Sequence, residues 1–417
     1  MGTNRFRSTG RRLVWVCLAG LLVVVFPGCI PGAPAREPVT ISFEFPEVDA
    51  ERYEALVLKF NEKHPLITVE LRPKSWEELY DMEAERADAL WISQDLAAQL
   101  ETTNKIVNLG SLIEQDDKFN LAVFYPGLVD ALSHDGKTWG IPYGADVIVM
   151  YYNRDLFDQY GVAYPQIGWT WDDFLERAVA LRDPDAFIFG YGPRLDLNDA
   201  SFFIYQHGGR ILDDLDEPTR TTFDDPLTLE ALEWYARMVH EHDAAPSMNQ
   251  SSHAYGGGSW AIYQGIWTGK VGMWMGGLSE RGGLVWPRKW AMGWGMVPLP
   301  SDAHSATQAT VEGYAISADT ENHDACWEWI SWLSEQSPYR LMPARRSLAE
   351  SSDYEELVGA EVAAVARASI ENALIVNPMN LVQFEGIMED FEEAMQDILQ
   401  GHRTPMEAMD ELQRKAP

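Results

Sequence analysis

From Val39 to Phe45 apolar and polar positions alternate, with Ile41, Phe43 and Phe45 on one face, and this period of two predicts a strand. Between Asp49 and His64 the period lengthens to that of a helix. Tyr53, Leu56, Val57 and Phe60 form its apolar stripe, and His64-Pro65 stops it. Alternation returns at Ile67, Val69 and Leu71. Strand, helix and strand in that order imply a right-handed crossover joining a parallel pair. The grammar recurs downstream. Val147 to Tyr151 reads as a strand, and Thr170 with Asp173 three residues on forms a capping box opening a helix that buries Phe174, Ala178 and Leu181. The stretch Pro218 to Pro226 reads as the far arm of a surface hairpin before a helix from Leu227 to His242. Met379 to Gln400 predicts a long amphipathic helix with Phe384, Ile387, Met388, Phe391 and Met395 inward. Cys326, Trp329, Ile330 and Leu333 share one helical face, which makes Cys326 a packed thiol rather than a nucleophile. No repeat, low-complexity tract or long linker interrupts the 417 residues, so two lobes sharing several short crossings suit the length.

Composition narrows the chemistry. A hydrophobic share of 46% excludes a disordered chain, and 64 acidic against 32 basic residues give a net charge of −32 that repels phosphate and excludes nucleic acid as a natural partner. Three Cys exclude a disulfide scaffold and a Cys-rich zinc module. Phosphate-loop, nucleophile-elbow and zinc-protease motifs are absent from the sequence, and His240 and His242 flank Glu241 on different helix faces. Asp213, Asp214 and Asp216 lack the Gly and Glu of a calcium loop and read as a solvated hairpin tip. Neither a metal nor a cofactor is expected. The unusual feature is 16 Trp, level with 16 Tyr and 16 Phe.

The amino terminus reads as an address. Arg5, Arg7, Arg11 and Arg12 precede an uncharged run from Leu13 to Phe26, too short to span a bilayer but suited to a signal peptide. Phe26-Pro27-Gly28-Cys29 resembles the bacterial lipobox, in which the Cys is lipidated after cleavage. That makes residues 1–28 a signal peptide, Cys29 an acylated first residue and 29–38 a tether. The alternative is an ordinary secretory signal with an incidental Cys. Either way the chain is expected to be exported, and the lipobox reading anchors it to the cell membrane on its periplasmic or extracellular face.

Four segments in order resemble the family-1 extracellular solute-binding proteins of ABC importers, the sugar-binding type that includes maltose-binding proteins. They are Phe60 to Pro65 with Ile67 and Val69; Gly140-Ile141-Pro142-Tyr143-Gly144 through Tyr152-Asn153-Arg154-Asp155 to Thr170-Trp171-Asp172-Asp173-Phe174; Gly269-Lys270-Val271-Gly272-Met273 with Gly276-Gly277; and Gly313-Tyr314-Ala315-Ile316-Ser317 through Pro343-Ala344-Arg345-Arg346-Ser347. The resemblance implies an α/β fold of two periplasmic-binding-protein-like lobes, type II, with parallel-dominated sheets and a ligand cleft between them. It implies a first lobe of 39–146 plus 303–345, a second of 147–302 plus 346–417, and a monomeric, non-catalytic receptor that delivers a carbohydrate to a membrane permease. Two departures stand out: the stretch from Trp76 to Asp88 is short for the family, and Ser279 falls where many relatives carry a stacking Trp.

Sugars present flat C–H faces and rings of hydroxyls, which aromatic faces and carboxylates, amides or Arg recognise. Trp76, Trp91, Tyr143 and Trp274 are candidate platforms, with core packing as the alternative for each. Asp146, at the expected lobe crossing, is a candidate hydroxyl acceptor or a hinge-capping carboxylate. Asp95 is a polar contact or a solvated first-turn acid. Arg345 is placed by the resemblance to fork onto vicinal hydroxyls, Gly276 and Gly277 mark the third segment, and Glu47 and Glu312 are loop acids following strands. Two other functions compete: the same fold taking a polyamine, which an acidic aromatic cleft also suits, and an exported glycoside hydrolase, which needs a closely spaced carboxylate pair that no motif supplies.

Overall fold

The computed structural model describes residues 37–195 and 198–416; Cys29, the expected signal peptide and most of the expected tether lie outside them. The expected first unit is present: β1 (Val39–Pro46) lies parallel to β2 (Ile67–Lys74) across the helix Ala50–Lys63. Tyr53, Leu56 and Phe60 of that helix are buried, as their spacing requires. The remaining strands are β3 (Ala89–Ser93), a small β4–β5 hairpin (Ser133–His134, Lys137–Thr138), β6 (Ile141–Asn153), β7 (Phe189–Gly192), β8 (Val271–Gly277), β9 (Trp294–Val297), β10 (Thr307–Ile316), β11 (Met342–Pro343) and β12 (Ala373–Leu374).

The main path of the large sheet runs β2-β1-β3-β10-β6-β8-β7. Its flanks are parallel (β1 with β2 and β3, β7 with β8), but β10 is antiparallel to both β3 and β6, and β6 is antiparallel to β8 and β9. The sheets are therefore mixed, not parallel-dominated as expected. The cause is β6, a single 13-residue strand that changes partners along its length. Ile141 to Val147 pairs with β10, while Ile148 to Tyr152 pairs with β8. Asp146 therefore sits one residue before the end of the β10 pairing.

Two apolar clusters flank this switch. One gathers Phe43, Phe60, Trp91, Tyr314 and Trp329, and extends to Tyr151, Trp274 and the helix Ala360–Ile370; the other gathers Phe174, Tyr191, Phe203, Tyr235 and Phe391. Thr170 caps the helix Trp171–Ala180 with the predicted box. The predicted helix from Met379 begins later, at Glu385. Asn377 caps the Met379 N–H at 3.0 Å and Phe384 N–H turns back to the Leu381 carbonyl at 2.7 Å, so two 3-10 turns precede it. Phe384, Ile387, Phe391 and Met395 nevertheless point inward. Cys326 is buried, and burial pushes its thiol pKa up to about 12. Among the described residues no helix is long and apolar enough to cross a membrane.

Candidate ligand-binding cleft

Strand β10 breaks register between Glu312 and Gly313, where a Cβ on Gly313 would come within 2.6 Å of the Ile141 carbonyl oxygen. At this bulge the Oε2 of Glu312 accepts from Trp91 Nε1 at 3.0 Å and from the Tyr143 hydroxyl at 2.8 Å, with Arg340 at 3.5 Å. Arg340 forks onto Asp49 at 3.1 and 2.8 Å, both side chains almost wholly buried. Removing either partner would strand a buried charge, so this group is a rigid unit. Trp91 and Tyr143 are buried and Tyr143 stacks on Tyr314 at 4.8 Å. They hold Glu312 in place and offer no open ring.

Across the partner switch, Asp146 accepts the Ser279 N–H on Oδ1 at 2.9 Å and the Ser279 hydroxyl on Oδ2 at 2.6 Å. Its carboxylate lies on Gly277, where a Cβ would approach Oδ2 to 2.6 Å; Gly276 likewise leaves room for Glu280, whose Oε2 a Cβ would meet at 3.0 Å. The two glycines thus seat two carboxylates at the end of β8. Burial pushes the Asp146 pKa up to about 6, against the pull of the Ser279 bonds, and Glu312 and Glu280 add to the rise. Glu280 is held by Arg194 Nη1 at 2.9 Å and by Trp286 Nε1 at 2.8 Å. Ser279 serves here as the donor to Asp146.

The open aromatic surface is elsewhere. Ser75 and Glu78 cap the one-turn helix Trp76–Leu79 reciprocally, fixing Trp76, which is 47% exposed, and the following Tyr80, 38% exposed. Trp76 meets the buried Trp91 edge-on at 5.5 Å, and the Tyr80 hydroxyl is bonded to Ser93 Oγ at 2.8 Å. Ser93 also caps the helix Gln94–Thr102, whose first turn carries Asp95. Asp95 meets solvent, yet desolvation by the surrounding protein raises its pKa. Burial, Asp95 and Glu312 raise the Tyr80 pKa, against the Ser93 bond. Trp76, Tyr80 and Asp95 are the exposed groups of two segments joined through Ser93, an aromatic and acidic face that touches the Glu312 unit where Trp76 meets Trp91. Such a face suits the C–H side and hydroxyls of a sugar, or a cation.

Three expected site residues are placed otherwise. Trp274 is fully buried, stacked on Tyr151 at 5.9 Å and edge-on to Trp290 at 5.1 Å, because β8 is covered on both faces. It belongs to a run of indoles in which Trp290 meets Trp286 at 5.2 Å and Trp294 at 5.8 Å. Arg345 donates through Nε and Nη2 to Ser334, at 3.0 and 2.8 Å, and packs over Phe124, so it ties the end of the helix His323–Leu333 to the segment at Phe124. Glu47 is exposed in a 3-10 turn, while its neighbour Asp49 carries the Arg340 pair. Sequence reading did not single out Tyr80, Asp49, Arg340, Glu280 or Arg194. The Asp49–Arg340 partners stand 291 positions apart and carry no local signal; Tyr80 had one, an aromatic four residues after Trp76.

The sequence model of the bacterial extracellular solute-binding protein family matches residues 46–337. An uncharacterised lipoprotein of Streptomyces antibioticus is 24% identical over 340 residues, spanning 78% of this chain and 72% of the relative. The solved ABC substrate-binding protein of Listeria monocytogenes in complex with cycloalternan has a TM-score of 0.71 at 20% identity, covering 90% of this chain and 97% of its own. A Mycobacterium tuberculosis protein in complex with glycerophosphocholine gives 0.69 at 16% identity, with 90% and 97% covered. The fold is accordingly the two-lobed, periplasmic-binding-protein-like type II arrangement of α/β lobes.

Proposed function

Because the chain belongs to the bacterial extracellular solute-binding protein family, we propose that it captures a carbohydrate between its lobes and hands it to the membrane permease of an ABC importer. The observation that carries this reading is the exposed Trp76–Tyr80–Asp95 face. Trp76 takes the C–H side of a sugar ring and Asp95 its hydroxyls, while Asp146, at the point where β6 changes partners, holds the crossing. The lobes divide near Asp146, Ser301 and Arg345, into 39–146 with 303–345 and 147–302 with 346–417. Cys29 carries the lipid, a reading supported by the lipoprotein among the relatives. Mass spectrometry of the membrane-extracted protein should find an acylated Cys29 at its amino terminus; an unmodified Cys29 ends that part of the proposal.

A thermal-shift screen against mono- and oligosaccharides tests the ligand class, since a tight ligand in large excess stabilises by roughly 3–4 kcal/mol. A second reading is favoured by one observation: the exposed acid Asp95 accompanies the exposed rings of Trp76 and Tyr80 on a chain of charge −32, so a polyamine also fits. Stabilisation by spermidine and by none of the saccharides would replace the carbohydrate reading with this one.

A further inference from the structure

Apart from the Trp76 face, a recess of about 320 Å³ opens among the segment after β7, the helix Met248–Tyr255, residues 258–267 and the helix Glu385–Gln400. Leu195, Met248 and Ile262 line its apolar wall, Trp260 and Tyr263 its aromatic one, and Glu392 and Gln396 stand among its polar groups. This is the make-up of a small-molecule site, at the lower end of the ~300–1,000 Å³ such sites occupy. Trp260 is 57% exposed, the most exposed aromatic side chain among the described residues.

The platform is held in advance. Trp260 contacts Tyr263 at 5.1 Å between ring centres, and Arg194 fixes Tyr263 by a 2.7 Å hydrogen bond to its hydroxyl and by lying 4.7 Å over its ring. The Arg194 N–H is itself bonded to the buried Asp199 at 3.0 Å. Through Arg194 the platform is joined to Glu280, and Glu280 accepts the N–H of Gly277, on which Asp146 rests. A continuous line of contacts therefore runs from the lobe crossing to Trp260.

We infer that this recess is a second saccharide-ring subsite built on Trp260 and Tyr263, so that the cargo is an oligosaccharide rather than a single sugar. The inference rests on the carbohydrate reading above. An indole face and a phenol ring meet the C–H side of a pyranose, and Glu392 and Gln396 supply acceptors and donors for its hydroxyls.

Calorimetric titration of the purified protein with malto-, cello- and xylo-oligosaccharides of one to five units tests it, using wild type, Trp260→Ala and Trp260→Phe. In the series that binds, wild-type affinity should rise with length. Trp260→Ala should lose ten-fold or more for the longest member and nothing for the shortest, with Trp260→Phe recovering part of the loss. Saccharide binding in which Trp260→Ala leaves the longest member unaffected, or weakens all lengths equally, overturns the subsite alone. Binding of no saccharide by wild type overturns the carbohydrate reading and the subsite together. As a check independent of affinity, the fluorine resonance of 5-fluorotryptophan at position 260, assigned with Trp260→Phe, should move with the longest ligand and stay put with the shortest; no movement with either counts against the subsite.

Discussion

Asp146 holds both oxygens on Ser279 in a half-buried position beside Glu312 and Glu280, and its pKa stands at about 6 against an ordinary 3.8. A folded-state carboxyl that binds its proton more tightly than the unfolded chain does contributes full stability below pH 4 and loses it as pH rises through 6. The loss is at most about 3 kcal/mol, less where solvent reaches the half-buried carboxyl. An Asn accepts from the Ser279 N–H and donates to its hydroxyl without that charge. Calorimetry should therefore find Asp146→Asn unfolding at a higher temperature than wild type at pH 7.5, with the advantage shrinking toward pH 4. An advantage that grew on acidification would contradict the burial argument. Trp274 makes the opposite kind of prediction. With its indole enclosed by Tyr151 and Trp290, Trp274→Ala leaves a cavity and should cost about 3–5 kcal/mol in denaturant unfolding. A loss below 1 kcal/mol would return Trp274 to the cleft.

At the scale of elements, one imidazole joins three helices to a connecting loop. His207 ends the helix Asp199–His207, bonds Asp302 through Nδ1 at 2.6 Å and Glu230 of the helix Pro226–His240 through Nε2 at 3.2 Å, and lies on Trp171 of the helix Trp171–Ala180. Two carboxylates on two ring nitrogens call for two donors, hence the imidazolium. Burial pulls the His207 pKa down, but Asp302 and Glu230 outweigh it and the balance is upward. Its stabilisation is full below the unfolded value near 6.5 and fades as pH rises through the folded one. His207→Gln should cost about 0.5–1 kcal/mol at pH 6 and less at pH 9, read from unfolding curves at both; an equal cost at both would assign the residue to packing alone. The elements legible from sequence were those with one buried face: the helix Ala50–Lys63 announced itself through Tyr53, Leu56 and Phe60, and the Thr170 box marked a helix start. Strand β8 was not legible in this way. All seven of its residues are buried, so nothing in their order separates a ring facing a ligand from a ring facing the core. The Glu312 unit escaped for another reason, since Trp91 and Tyr143 reach Glu312 only across 221 and 169 positions of the chain.

For the whole molecule, β6 and β10 are two long strands bonded side by side, and β6 feeds both halves of the sheet. If ligand closes the lobes, the bending falls where Asp146 and Val147 change neighbours. Small-angle scattering should then show a smaller radius of gyration with saturating ligand, because a ligand shifts only an equilibrium between states it binds unequally. An unchanged radius alongside measurable binding would mean that the cleft is filled without closure. The indole run has an optical consequence. Trp290 meets Trp274, Trp286 and Trp294 at 5.1 to 5.8 Å, and Trp286 meets Tyr263, which touches Trp260, at 5.0 Å. Rings this close pass excitation among themselves faster than they emit it. Ultraviolet light absorbed anywhere in this group is thus re-emitted mainly from its lowest-energy indole, and the colour of its share of the fluorescence is set by one neighbourhood rather than averaged over its four indoles.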